Sequence, residues 1–113
     1  MISWPAVFKH TNDPELDYYE DLEALEKDML QNYPATLAGG YLLDSNGEVY
    51  TVSAMHNGKL DLLDTGRSKT LEQVLGLVKA HAAQAEHCCV AKLWAPSIPE
   101  AVQIVHSISL ETR

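Results

Sequence analysis

Residues 40–63, GYLLDSNGEVYTVSAMHNGKLDLL, contain three apolar runs separated by two turn sequences. The runs at 40–43, 48–55 and 59–63 are rich in aliphatic, β-branched and aromatic residues, which favour strands. The turns are DSNG at 44–47 and NG at 57–58, and Asn-Gly fits the two-residue hairpin turn in which both residues take positive φ. This stretch therefore predicts an antiparallel meander of three strands.

Two further strands are predicted before the meander, and one after it. Side chains alternate over residues 3–9, and turn residues at 12–14 allow 15–20 to return as the second strand of a hairpin. Pro5 predicts an edge position for the first strand, because proline donates no hydrogen bond to a neighbouring strand. A sixth strand is predicted over residues 88–95, where side chains again alternate.

Three helices complete the predicted fold. Asp21 can cap a helix that ends near Tyr33, while TLEQ at 70–73 and SIPE at 97–100 are capping boxes followed by apolar stripes. The second helix is expected to reach about Glu86. The element order is ββαβββαβα, and strands that come in runs favour the α+β class. We expect a mainly antiparallel sheet of about six strands packed against three helices.

The layering predicts where a binding surface could lie. If all three helices cover one face of the sheet, the other face would present Tyr50, Trp94 or a side chain of the first strand to solvent as an aromatic patch. No repeat or flexible linker divides the chain, so residues 1–113 are expected to form a single domain.

Composition excludes several classes of function. The 113 residues are 46% apolar, and no apolar run approaches the ~20 residues that a membrane span needs. The net charge of −8 makes nucleic acid an unfavourable partner, since that binding depends on Lys and Arg. The first residues lack a secretory pattern, and the two cysteines are adjacent rather than spaced for disulfides. A cytoplasmic location with free thiols is expected.

Acidic residues are concentrated near the start of the chain. Half of the sixteen lie within residues 13–28, opposed there only by Lys27. Glu20, Glu23 and Glu26 are candidate contacts for a protein partner, although such a surface more commonly serves solubility. The leading hypothesis is a non-enzymatic protein-interaction module that uses this acidic surface or the open sheet face. Self-association into a homo-oligomer is compatible with it.

The densest group of reactive side chains comprises His81, His87, Cys88 and Cys89. Imidazole and thiolate are zinc ligands, but adjacent strand residues point to opposite faces, so only one cysteine could share an ion with a histidine. The cysteines also follow a helix C-terminus, which disfavours thiolate. Buried cysteine is the simpler interpretation. A metal-binding or thiol-redox role at these four residues is the alternative hypothesis; no catalytic residue and no cofactor are predicted.

Two other segments resemble ligand-binding loops only in part. GRSKT at 66–70 lacks the glycines of a phosphate-binding loop, which leaves Arg67 and Lys69 as candidates for a simple anion site beside a helix N-terminus. DSNGE at 44–48 is much shorter than a calcium-binding EF-hand loop and is interpreted as a turn.

Two stretches carry a family resemblance. MISWPA at 1–6 and HCCVAKL at 87–93 resemble a small uncharacterised bacterial family, a domain of unknown function, over nearly the whole chain. The resemblance implies a stand-alone cytoplasmic protein and brings no activity, cofactor or site residues with it.

Overall fold

The computed structural model describes residues 2–32, 39–56, 59–85 and 90–111. Within these ranges the chain forms five strands, three α-helices and one 3₁₀ turn. In chain order they are β1 Ala6–Lys9, β2 Leu16–Tyr19, α1 Leu22–Asn32, β3 Tyr41–Leu43, β4 Glu48–His56, β5 Lys59–Ser68, α2 Leu71–Gln84, the 3₁₀ turn Val90–Lys92 and α3 Ile98–Glu111.

The strands form one antiparallel sheet in the order β2-β1-β3-β4-β5. The predicted hairpin is present, and so are the three strands of the predicted meander, whose turn at Asn57 and Gly58 lies outside the described residues. The edge position that Pro5 predicted for β1 is wrong, because β1 pairs with β2 on one side and β3 on the other. Pro5 lies one residue before the strand begins, where its missing N–H costs the sheet nothing.

The prediction of a sixth strand is also wrong within the described residues. Val90–Lys92 form a 3₁₀ turn, and the Leu93 N–H donates to the Val90 carbonyl at 3.1 Å. The alternation of side chains comes instead from a short connection between α2 and α3. In this connection Ala95 is buried in the core beneath these two helices, while Trp94 is 67% exposed. The first two residues of the predicted strand, Cys88 and Cys89, lie outside the described ranges.

Helices pack on both faces of the sheet. On one face, strand residues such as Val7 and Leu43 pack against apolar residues of α2 and α3. On the other face, strand residues such as Phe8 and Leu42 pack with Leu25 of α1. The expected layer of three helices on one face is therefore corrected, and with it the aromatic patch, because Tyr50 is buried on the α1 face.

Local chemistry explains where the helices begin. The Thr70 hydroxyl accepts from the Gln73 N–H at 3.2 Å, and the Gln73 side chain accepts from the Thr70 N–H at 2.9 Å, which completes the predicted capping box of α2. Asp21 caps α1 by accepting from the Ala24 N–H at 2.8 Å. No helix within the described ranges combines the length and apolar character that a membrane span requires.

Candidate functional site

The turn between β3 and β4 contains a fully buried carboxylate. Asp44 accepts from the N–H groups of Asn46 and Glu48 at 2.9 Å each, and from the Ser3 N–H at 3.0 Å. Both oxygens thus bond to backbone, and they attach the N-terminal segment to the sheet. The segment is a turn, as predicted, and its central acid has a structural role.

His81 is the one member of the predicted His/Cys cluster within the described ranges. It is 6% exposed, and its Nδ1 accepts from the Leu16 N–H at 3.0 Å, so the ring joins α2 to β2. Its buried Nε2 has no hydrogen-bond partner. Burial lowers the pKa of His81, which the negative charge of Asp17 offsets only in part. The neutral ring is therefore the form that the fold holds.

The remaining members of that cluster, His87, Cys88 and Cys89, lie outside the described residues. Within the part of the chain that is described, no three His, Cys, Asp or Glu side chains stand close enough together to hold a metal ion. The metal-binding or thiol-redox role remains a prediction, with His81 already engaged by backbone through Nδ1.

The acidic segment separates into exposed and internal carboxylates. Glu20 and Glu23 are exposed. Glu26, in contrast, is only 9% exposed: it accepts from the Leu60 N–H at 2.9 Å, and its other oxygen lies 4.0 Å from the Lys59 ammonium. Glu26 is thus a bridge between α1 and β5 and not part of the exposed acidic surface.

The hydroxyl groups of two buried tyrosines donate hydrogen bonds to further carboxylates. The Tyr19 hydroxyl donates to Asp28, and burial together with this bond raises the pKa of Tyr19. The Tyr50 hydroxyl donates to Glu48 at 3.0 Å, and burial followed by this bond raises the pKa of Tyr50 to about 12. Both phenols therefore remain protonated and act as donors within the fold.

The two candidate anion-binding residues occupy different settings. Arg67 lies within β5, which continues to Ser68, and not in the predicted loop. Lys69 follows the strand, and its ammonium stands 5.2 Å from the centroid of the Tyr41 ring, a cation–π arrangement. The nearby helix N-terminus already has its capping box. Anion binding remains a prediction with no added geometric support.

The outer edge of β5 is the feature that sequence reasoning missed. No described strand pairs with β5 on the side away from β4. Leu63, on the face where α2 and α3 cover β1 and β2, is 55% exposed. Leu62 packs partly against the opposite core. A signal was present, since two consecutive leucines in a strand must point to opposite faces.

Side chains already occupy several N–H groups along this edge. Glu26 takes the Leu60 N–H; near the other end, Asp64 accepts from the Gly66 N–H at 2.9 Å. Gly66 has a φ of 73°, and the register with β4 is irregular beside it. Bulges and local capping of this kind limit unwanted pairing at a sheet edge. The open portion is consequently short and lies around Leu63.

Comparison with known proteins agrees with this fold. An NMR structure of a protein from Shewanella amazonensis is 20% identical, and the alignment covers 95% of this chain and 90% of that one with a TM-score of 0.67. No curated protein matches. The model of the family DUF4144, described as a protein structure with unknown function, matches residues 4–105. The resemblance inferred from the sequence is confirmed, and the chain belongs to the DUF4144 family.

Proposed function

We propose that the protein is a non-enzymatic protein-interaction module that binds its partner along the outer edge of β5. The observation that carries this proposal is the exposure of Leu63, 55%, on a ten-residue strand with no described neighbour on one side. An uncovered edge offers backbone donors and acceptors to an added strand, and a neighbouring apolar side chain adds contact area.

The roles of the buried polar side chains support a structural interpretation of the interior. Asp44, Glu26 and His81 each accept hydrogen bonds from backbone N–H groups of the same chain. Each bond connects separate elements or fixes a turn, which is the usual reason for burying such groups. Leu63, in contrast, belongs to neither cluster of packed apolar residues within the described part of the chain.

Leu63→Arg tests the proposal by placing a charge at the centre of the edge. Ala80→Arg is the matched control, because Ala80 is exposed on α2 and the charge change is the same. Untagged protein would be isolated gently from its own host and examined by native mass spectrometry. We expect a bound protein chain with wild type and with Ala80→Arg, and its loss with Leu63→Arg. Equal recovery by both variants, or no bound chain with wild type, would refute the proposal.

The exposed acids Glu20 and Glu23 form a second candidate surface for a basic protein partner. The observation that favours it is the exposure of both carboxylates beside the first turn of α1, on a chain whose net charge is −8. A negative surface of this kind can steer a basic partner.

Charge reversal distinguishes this surface from the β5 edge. Glu20→Lys combined with Glu23→Lys should weaken a salt-sensitive complex, while Leu63→Arg leaves it intact. Glu26 is left unchanged, because its replacement would disturb the Leu60 N–H as well. Unchanged partner recovery with the double variant would exclude the acidic surface.

A further inference from the structure

The outward-facing backbone groups of β5 can be assigned from one contact. The Leu60 N–H bonds to Glu26 and so points away from β4. Backbone groups alternate in direction along a strand, so those of Leu62 and Asp64 face the same way. Beyond Asp64, where the register with β4 shifts, the N–H of Gly66 is taken by the Asp64 carboxylate. Within the described residues, the edge therefore has an open window formed by Leu62 and Asp64, with capped positions on either side.

We propose that this window binds a second copy of the same chain, with the two β5 strands antiparallel and Leu63 on the twofold axis. This inference rests on the proposed function and names its partner. Leu62 of one copy would pair with Asp64 of the second copy, and the symmetry repeats the pair. The outward N–H and carbonyl groups of the window would then all be satisfied.

The capped positions select this register. Moving the axis by one residue would pair Leu62 with Gly66 of the second copy, or Leu60 with Asp64 of the second copy. Both alternatives require an N–H that a carboxylate already holds. With the axis at Leu63, neither capped N–H is needed for pairing. The hydrogen bonds between the two copies are then those of Leu62 and Asp64.

Contact between the two Leu63 side chains favours the same arrangement. Two Leu63 residues would face each other as a non-hydrogen-bonded pair with Cα atoms about 4.5 Å apart, where each covers the other's exposed side chain. The whole chain carries a net charge of −8, which opposes self-association elsewhere on its surface. Along β5 itself the formal charges of Lys59, Arg67, Asp61 and Asp64 sum to zero, although the register sets Lys59 opposite Arg67 of the second copy, a like-charge pair beyond the window. Salt should strengthen the pairing, because it screens the remaining repulsion.

Disulfide trapping tests the register directly. Leu63→Cys would be made in a Cys88→Ser, Cys89→Ser background and oxidised mildly; a Cα separation near 4.5 Å lies within the range for a disulfide. Asp61→Cys is the matched control on the same strand, since the proposed symmetry places its two copies about 13 Å apart. We expect a rapid disulfide-linked dimer from Leu63→Cys and slow crosslinking from Asp61→Cys. Equal rates would overturn the proposal.

Analytical ultracentrifugation of wild type gives an independent measurement that needs no cysteine variant. The expected result is a mass that rises from 12.5 kDa toward twice that value as protein is concentrated, with Leu63→Arg monomeric throughout and Ala80→Arg unchanged. A wild type that stays monomeric at about 1 mM, beyond the range of even weak biological pairs, would overturn self-pairing. If native mass spectrometry shows a different protein bound to wild type and absent from Leu63→Arg, the proposed function holds even though self-pairing is refuted.

Discussion

The interior strands of the sheet and its β5 edge differ in how the rest of the chain covers them. Around β1 and β3, apolar residues are buried on both faces, under α1 on one side and under α2 and α3 on the other. Along β5, every residue from Leu63 to Ser68 is exposed. Strands of one sheet thus belong to different environments, and burial rather than strand membership decides what a side chain contributes.

Two aspartates illustrate the difference with the same local geometry. Asp44 and Asp64 each accept, at 2.9 Å, from the N–H two residues further along the chain. Asp44 is fully buried and also holds Ser3 and Glu48, whereas Asp64 is exposed and caps the open edge. The same turn chemistry stabilises the core in one place and limits pairing in the other.

The largest expected effect comes from truncating one apolar residue in each of these two regions. Phe8 lies in β1, between β2 and β3, and its residue is only 2% exposed. Phe8→Ala should lower the free energy of unfolding by about 4 kcal/mol. Leu63→Ala should change it by less than about 0.5 kcal/mol. Urea denaturation measures both. A loss above about 2 kcal/mol for Leu63→Ala would show that β5 is covered within the monomer.

The two aspartates extend the comparison to polar groups. Asp44→Ala removes a buried carboxylate that accepts from three partly buried N–H groups and should cost about 3 kcal/mol. Asp64→Ala should remain within about 0.5 kcal/mol of wild type, since water can replace its carboxylate. Thermal and urea unfolding report both values. Equal losses would contradict the assigned difference in burial.

Burial of His81 on α2 should make the free energy of unfolding depend on pH. The pKa of His81 is lowered by burial, so the unfolded chain binds a proton more readily than the folded one. Its contribution is fully present above about pH 6.5 and is lost as the pH falls toward the folded pKa, by at most about 1.4 kcal/mol per pH unit. His81→Asn, which can keep an acceptor for the Leu16 N–H, should show a flatter profile in urea titrations between pH 7 and 5. Parallel curves for the two proteins would remove His81 as the cause.

The smallest expected effect concerns the capped end of β5. Glu26→Gln replaces a charged acceptor with a neutral one and should cost about 1 kcal/mol. Hydrogen exchange of the Leu60 amide should accelerate, while exchange of the Leu42 amide in β3 should stay as in wild type. An unaltered Leu60 rate would mean that Glu26 does not protect this edge position.

The sequence was informative where local chemistry determines structure. The meander, the hairpin and the three helices follow from turn residues, capping boxes and periodicity, and the described residues contain all of them. It failed where the answer depends on distant partners. Neither the position of β1 inside the sheet nor the burial of Tyr50 under the α1 layer is encoded near those residues.

The candidate sites show the same limit. Glu26 resembled its acidic neighbours, and only its contact with Leu60, 34 positions away, reveals an internal role. The bond between Leu16 and His81 spans 65 positions. The open edge itself required the strand order, because Leu62 and Leu63 predict that both faces are used but not which strand lies outermost.

Residue-resolved hydrogen exchange at two protein concentrations tests the central claim that β5 carries the binding edge. In dilute protein, the Leu62 and Asp64 amides should exchange at least about a hundredfold faster than those of Leu42 and Leu43. Raising the concentration should slow the two β5 amides and leave β3 unchanged. Amides of β5 that are as protected as those of β3 in dilute protein would contradict a free binding edge, whereas equal exchange rates at both concentrations would contradict self-pairing along β5.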